Sequence, residues 1–177
     1  TIRAWDQTQG TGGQYVDVTT NGDIEPFSTA IGTATINIIS INDAPELDDL
    51  PYFVSMLNED CNNIDGNYDC EDDSSNPGTT ISTLRGSGIT DIDSELNPGG
   101  TLYGIAVTGT DNDNGHWEYK LSGEDYTSIN SVNDNNALLL GDDDMVRFIP
   151  DGDWWGDADM TIRAWDQTQG TGGQYVD

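Results

Sequence analysis

Four short acidic motifs carry the residue types that a hard divalent cation binds. Ca²⁺ takes about six to eight oxygen ligands from carboxylates, amides and backbone carbonyls, so no single motif could complete a site and several must be brought together. Within one of them, DID, an extended backbone would place the carboxylates of Asp91 and Asp93 on the same side of the chain. The motifs are NDAP at 42–45, NED at 58–60, DID at 91–93, and AWD, which ends at Asp6 and again at Asp166.

The charge balance gives a reason for the protein to bind cations. Asp and Glu number 33 against five Lys and Arg, which gives a formal net charge of −28. Such a chain repels nucleic acid and anionic membranes, and its self-repulsion opposes compaction. No stretch approaches the roughly 18 apolar residues that a membrane-spanning helix needs. A solubilising acidic surface, as in halophilic proteins, is the alternative, but the clustering of the acids in turn-like motifs favours Ca²⁺.

A second cation site is one of two interpretations of the loop CNNIDGNYDCEDD. Its Asn/Asp-rich start and Gly66 resemble the beginning of an EF-hand loop, although the Glu expected at the twelfth position is missing. The other interpretation is a solvated loop closed by a disulfide between Cys61 and Cys70, which would fit an oxidising, extracellular setting. Zinc is disfavoured because the loop contains no His. The candidate ligands here are Asp65, Asp69, Glu71 and Asp72.

Two adjacent tryptophans, Trp154 and Trp155, lie in the acidic stretch DGDWWGDAD. Exposed tryptophans could stack on sugar rings while neighbouring acids bind sugar hydroxyls through Ca²⁺. The favoured alternative is that at least one of them packs in the fold or covers a strand edge.

Catalysis is not expected. Paired carboxylates can hydrolyse glycosides, but one of them then needs a raised pKa in an apolar cleft, whereas these acids lie in turns. The only histidine, His116, is not part of a Ser/His/Asp order, and neither a phosphate-binding Gly loop nor an HExxH motif occurs.

The elements that must position the motifs are short strands. Apolar residues alternate with Thr, Ser or charged residues, which is typical of half-buried antiparallel strands, and Asn, Asp and Gly form the turns between them. The pattern predicts an all-β, Ig-like antiparallel β-sandwich with Greek-key connections and no helix. The candidate strands are 27–41 (one or two strands), 52–57, 79–84, 102–110, 116–121, 137–140, 145–150 and 161–165.

The chain begins and ends with the same seventeen residues, TIRAWDQTQGTGGQYVD, at 1–17 and 161–177. The offset of 160 residues suits a tandem repeat of whole domains better than a solenoid. Residues 1–43 would be the C-terminal strands of one repeat, and 44–177 most of the next. A sandwich without its final strands exposes an edge, which the next repeat or a neighbouring copy could cover.

These segments together resemble a known family. TIRAWDQTQG is similar to a cadherin strand, INDAP to a cadherin linker, and DID and NED to its acidic motifs, while 104–129 and 137–173 resemble repeats of giant bacterial surface proteins and RTX-type adhesins. The resemblance implies a Ca²⁺-stiffened module in an extracellular fibre. Its implied partners are adjacent copies, in cis or by strand complementation between chains, and glycans, but neither nucleic acid nor an inserted membrane. The predicted ligands are Asp6, Asn42, Asp43, Glu59, Asp60, Asp91, Asp93 and Asp166.

Overall fold

The chain folds into two compact units, Thr1–Ile41 (unit 1) and Asn42–Asp177 (unit 2). The structure, a computed structural model, describes residues 1–39, 41–49, 52, 54, 56, 57, 59, 70, 75–95 and 102–177. Across these ranges no helix is long and apolar enough to cross a membrane. The assignment of 1–43 and 44–177 to successive repeats stays a prediction.

Unit 2 consists mainly of short strands. Several of them coincide closely with the predicted ones because their β-branched and aromatic residues alternate with polar residues. The described elements are β1 (Glu46–Leu47), β2 (Thr79–Thr80), α1 (Ile81–Arg85), β3 (Ile89–Thr90), a 3-10 helix (Ile92–Glu95), β4 (Gly104–Thr110), β5 (Gly115–Lys120), β6 (Thr127–Ser128), β7 (Ala137–Gly141), β8 (Met145–Pro150), β9 (Met160–Trp165) and β10 (Tyr175–Val176).

The described strands form three antiparallel sheets. Two have four strands, in the orders β10-β7-β4-β9 and β2-β8-β5-β6, and β1 pairs with β3 in the third. Val107 on β4 lies opposite Leu138 on one side and Ile162 on the other. In the second sheet Trp117 lies opposite Phe148. The prediction of an antiparallel β-rich fold is confirmed, whereas the sandwich and its Greek-key connections stay predictions.

One buried cluster draws on both four-stranded sheets. Ile105, Val107 and Leu138 come from the first sheet, and Trp117 and Val146 from the second. All five are at most 3% exposed, so these apolar side chains are removed from water almost completely. Their burial is the main favourable contribution to the folding of unit 2.

The expectation of a strand at 79–84 and of a chain without helix is wrong. Only Thr79 and Thr80 extend β2, and helix α1 follows at once. The hydroxyl of Thr80 accepts a hydrogen bond from the Thr83 amide at 3.2 Å, which caps the first turn. Gly86 ends the helix with a φ of 50°, a conformation that a residue with a side chain rarely adopts.

The described residues of the predicted strand or strands at 27–41 do not form a strand in unit 1. Phe27 and Gly32 make isolated bridges to Trp5 and Ile2, and no further strand is present among the described residues of this unit. An alternating segment forms a strand only when a partner satisfies its backbone. For the candidate strand at 52–57, the described residues 52, 54, 56 and 57 are not in a strand, and the others lie outside the described residues.

The two identical segments fold into the same turn in both units. The indole nitrogen donates to the carbonyl four residues later, from Trp5 to Gln9 at 2.7 Å and from Trp165 to Gln169 at 2.8 Å. In each copy the Gln after the aspartate has a positive φ, 64° in the first and 58° in the second. Local sequence therefore determines this turn, independently of the unit that contains it.

Candidate metal centre

Three segments of unit 2 that are far apart in sequence meet at one place. Strand β1 pairs with β3, with Glu46 opposite Thr90 and Leu47 opposite Ile89. This pairing brings the residues before β1, Asn42 and Asp43, close to the residues that follow β3. The third segment is the end of β9, where Asp166 follows Trp165.

Hydrogen bonds connect the predicted ligands of these segments. The side-chain amide of Asn42 donates to Oδ2 of Asp166 at 2.8 Å. The backbone N–H of Asp43 donates to Oδ2 of Asp93 at 2.6 Å, and the N–H of Asp93 donates to Oδ1 of Asp91 at 2.9 Å. Five of the predicted oxygen-bearing residues thus lie in one connected group, which we call the acidic junction: Asn42, Asp43, Asp91, Asp93 and Asp166.

The backbone of the DID motif is not extended as expected. Strand β3 ends at Thr90, and the chain turns into the 3-10 helix at Ile92. The carboxylate of Asp91 accepts the N–H of Asp93 two residues later, an Asx turn that competes with strand continuation. The two carboxylates are therefore brought together by a turn rather than by strand alternation. Asp91 is 7% exposed.

Asp166 is held in its charged form by its neighbours. Burial alone would raise the pKa of Asp166, but the hydrogen bonds that it accepts from Thr168 and Asn42 outweigh burial and lower the pKa below its ordinary value. The Thr168 amide and hydroxyl donate to Oδ1 at 3.0 and 2.8 Å. An ionised carboxylate is the form that a cation binds.

The donor set of the acidic junction fits Ca²⁺ in its chemistry. Four carboxylates and one side-chain amide supply only hard oxygen ligands, since the Asn42 amide can present its oxygen after a rotation about its last side-chain bond. In the present arrangement of the described residues, no three acidic, His or Cys side chains converge closely enough to hold a metal ion. Ion binding would therefore require the side chains to turn toward a common centre.

The remaining predicted ligands lie elsewhere or outside the described residues. Glu59 is exposed in a turn. Asp6 belongs to unit 1, where it is exposed and accepts hydrogen bonds from the Thr8 amide and hydroxyl at 2.9 and 2.7 Å. These bonds lower the pKa of Asp6, the Thr8 amide contributing most. Outside the described residues are Asp60, Cys61, Asp65, Asp69, Glu71 and Asp72, so the second cation loop and the disulfide of Cys61 with Cys70 stay predictions.

The two adjacent tryptophans have different surroundings. The ring of Trp154 lies 5.8 Å from that of Phe148 at an interplanar angle of 60°, a favourable aromatic contact. Trp155 is 81% exposed. The ring of Trp155 is therefore accessible for stacking on a sugar, whereas the ring of Trp154 packs against Phe148.

Sequence reasoning missed a buried ion pair in the second sheet. Arg147 donates to Oε2 of Glu118 at 2.8 Å, and its guanidinium lies 3.7 Å from the ring centre of Tyr126. The side chain of Arg147 is 4% exposed. The signal was available: an arginine within the apolar run MVRFIP must be paired if the strand is buried on both faces.

Comparisons with known proteins do not assign this chain to a class. No family model matches the sequence, and neither a curated protein nor a solved structure matches it. The fold and the acidic junction are therefore the basis for the proposal that follows.

Proposed function

We propose that this chain is a calcium-stiffened structural repeat of an extracellular bacterial adhesin or fibre, built on a cadherin-like β-sandwich. The observation that carries the proposal is the hydrogen-bonded meeting of Asn42, Asp43, Asp93 and Asp166. The sequence predicts each of them as a ligand from short, separate motifs. Their proximity is what a shared cation site requires.

The ion would act at the point where the chain enters unit 2. Asn42 and Asp43 are the first residues of that unit, and the rest of the acidic junction follows β3 and β9. The carboxylates of Asp91, Asp93 and Asp166 and the amide oxygen of Asn42 would hold Ca²⁺, which supplies two positive charges and several directed contacts. The entering segment would then be fixed to two strand ends.

The net negative charge explains why a bound cation would stiffen this chain. A chain with a net charge of −28 loses stability through self-repulsion, and the repulsion is strongest where carboxylates cluster. Bound Ca²⁺ cancels that repulsion locally. Successive repeats joined in this way would extend as a fibre, mediating cell-surface attachment or filament assembly between adjacent copies.

Direct measurement of ion binding tests the proposal. The unmodified chain, freed of metal, is titrated with Ca²⁺ by calorimetry beside two variants, Asp93→Asn in the acidic junction and Asp125→Asn at an exposed position outside it. We expect saturable binding that Asp93→Asn weakens at least about tenfold, a loss of about 1.4 kcal/mol, and that Asp125→Asn leaves unchanged. Absence of binding, or equal effects of both variants, would contradict the proposal.

A calcium-dependent carbohydrate-binding module is the second candidate, favoured by the 81% exposure of Trp155. Stacking of a sugar on this ring would be lost in Trp155→Ala without a change in stability. Trp154→Ala is the informative comparison, because it removes packing against Phe148 and should lower stability. Glycan-array binding that disappears only with Trp155→Ala would support this candidate, and the absence of any binding by the unmodified chain would exclude it.

A further inference from the structure

Strand β9 and its identical counterpart in unit 1 use opposite sides of the same sequence for backbone pairing. In unit 2, the carbonyl of Asp159 accepts the N–H of Asp111 at 2.8 Å, and the carbonyl of Thr161 accepts the Thr108 hydroxyl at 3.5 Å. Both acceptors have odd numbers. Because backbone groups alternate in direction along a strand, the odd-numbered residues of β9 face β4.

In unit 1 the even-numbered residues are the paired ones. Ile2 and Gly32 exchange N–H to carbonyl hydrogen bonds at 2.7 and 2.8 Å, the Ser28 N–H donates to Ala4 at 3.0 Å, and the Asp6 N–H donates to Pro26 at 3.1 Å. The offset of 160 residues preserves parity, so Ile2 and Ala4 correspond to Ile162 and Ala164. The first copy thus pairs through the side that β9 turns away from β4.

The outer side of β9 is an edge in unit 2. The strand order β10-β7-β4-β9 places β9 at the end of its sheet among the described strands. The N–H and carbonyl groups of Ile162 and Ala164 point out from this edge. Such a row of backbone groups is a template for another strand. Unit 1 shows which sequence pairs with that row, namely residues 26–32.

The residues that follow this segment have the pattern that β9 would accept. A side chain at position 32 would contact Ile2 Cγ1 at 3.1 Å, so opposite positions share a face. Ala158, Met160 and Ile162 pack against the core of unit 2. With Gly32 opposite Ile162, Ala34 would lie opposite Met160 and Ile36 opposite Ala158, two residues before β9, on that same face. Ile36 is 84% exposed in unit 1. Pairing with the outer edge of β9 would cover this side chain.

We propose that residues 26–36 of a second copy of this chain add as an antiparallel strand to the outer edge of β9. The register is the one seen in unit 1, with Gly32 opposite Ile162 and Thr33 opposite Thr161. This inference rests on the proposed role in assembly between copies and names the contact that makes it. The donated segment exchanges two isolated bridges in its own unit for a longer strand that also covers its apolar side chains.

Disulfide trapping between differently tagged chains tests the register. Thr33 and Thr161 are both exposed and would form a non-hydrogen-bonded pair, in which opposite side chains are closest. Thr33→Cys chains are mixed with Thr161→Cys chains under mild oxidation, beside the unmodified chain, which carries the native cysteines. Thr20→Cys, at another exposed threonine of unit 1, replaces Thr33→Cys in the control mixture. We expect at least about tenfold more linked heterodimer from the Thr33 mixture; equal yields would overturn the proposal.

The double variant Thr33→Cys with Thr161→Cys distinguishes pairing between copies from pairing within one chain. Disulfide-linked oligomers that increase with protein concentration support a second copy as the donor. Linked monomers alone at every concentration would overturn it, because the chain would then cover its own edge.

A variant of the donated segment and a repeat in EDTA separate the strand contact from folding and from Ca²⁺ binding. Ile36→Asp changes one exposed side chain, so circular dichroism should be unchanged while the heterodimer yield falls at least about tenfold. An unchanged yield would overturn the proposal. Trapping is repeated in EDTA. Cross-linking by a chain that does not bind Ca²⁺ would support the strand contact and refute the calcium role. Ca²⁺ binding by a chain that does not cross-link would refute the strand contact and support the calcium role.

Discussion

The side-chain amide of Asn42 donates a 2.8 Å hydrogen bond to Oδ2 of Asp166, 124 positions later in the chain. One residue starts unit 2 and the other follows strand β9. The contact therefore joins the entry of the chain into this unit to the turn that the repeated sequence forms. It also makes Asp166 different from Asp6, whose carboxylate accepts hydrogen bonds only from Thr8 of its own turn among the described residues.

This difference gives a matched pair of variants for ion binding. Asp166→Asn and Asp6→Asn remove the same carboxylate from the same local sequence, but only Asp166 belongs to the acidic junction. We expect Asp166→Asn to weaken Ca²⁺ binding at least about tenfold, and Asp6→Asn to change it less than about twofold. Competition of Ca²⁺ against bound Tb³⁺, followed by luminescence sensitised through tryptophan, measures both. Equal weakening by the two variants would contradict the assignment of Asp166 to the site.

The lowered pKa of Asp166 predicts how stability depends on pH in the absence of metal. Because the folded-state pKa lies below the unfolded value of about 4, ionised Asp166 stabilises the fold above about pH 4, and this contribution is lost as pH falls through the folded-state pKa. Urea unfolding in EDTA between about pH 2 and 6 should therefore show a smaller acid loss in Asp166→Asn than in the unmodified chain. An identical pH dependence of both proteins would show that Asp166 makes no such contribution.

Two equivalent glycines separate backbone strain from packing. Gly10 and Gly170 both have a positive φ, of 88° and 82°, so an alanine is strained at either position by about 1 kcal/mol. At position 170 a Cβ would also clash with Leu139 Cδ1, whereas at position 10 the nearest contact of a Cβ would be Trp5, at 3.7 Å. We expect Gly170→Ala to cost a further 1–3 kcal/mol or so in unit 2.

Denaturant unfolding followed by the fluorescence of each variant measures this difference. Equal losses for Gly10→Ala and Gly170→Ala would mean that the turn in unit 2 relaxes away from Leu139.

The buried pair of Arg147 and Glu118 should matter far more than the exposed pair of Arg163 and Asp134. Arg147→Met leaves the Glu118 carboxylate buried without its cation and should lower the free energy of unfolding by about 3 kcal/mol. Arg163→Met removes a partner from a pair whose side chains are 68% and 67% exposed, with an expected loss below about 1 kcal/mol. Chemical unfolding at neutral pH compares them, and a loss at Arg163 as large as at Arg147 would contradict the prediction.

The sequence predicts best what its local pattern determines. Strand β8 occupies the predicted residues 145–150, because its alternation and β-branched residues need only ordinary neighbours. The prediction of a strand at 79–84 was wrong because Thr80 is both β-prone and a good helix cap. The capping hydrogen bond with Thr83 favours the helix. The prediction of strands at 27–41 was wrong because alternating residues form a strand only when a partner strand is available, and the local pattern does not reveal the partner.

The candidate site likewise has features that the local sequence predicts and features that depend on distant contacts. The motifs around Asn42, Asp91 and Asp166 are visible in the sequence because carboxylates and amides at turn positions have few other uses than binding or capping. Their proximity could not be predicted, since it depends on the pairing of β1 with β3 and on the position of β9. The buried pairing of Arg147 also depends on contacts across the sheet, here with Glu118.

The thermal unfolding midpoint of unit 2 in Ca²⁺ and in EDTA tests the central claim most directly. An ion that binds only the folded chain at about one hundred times its dissociation constant adds about 2.7 kcal/mol of stability. For a chain of this size that corresponds to a rise of roughly 5–10 °C, which the calcium-stiffened account predicts. An unfolding midpoint that is the same in Ca²⁺ and in EDTA would contradict it.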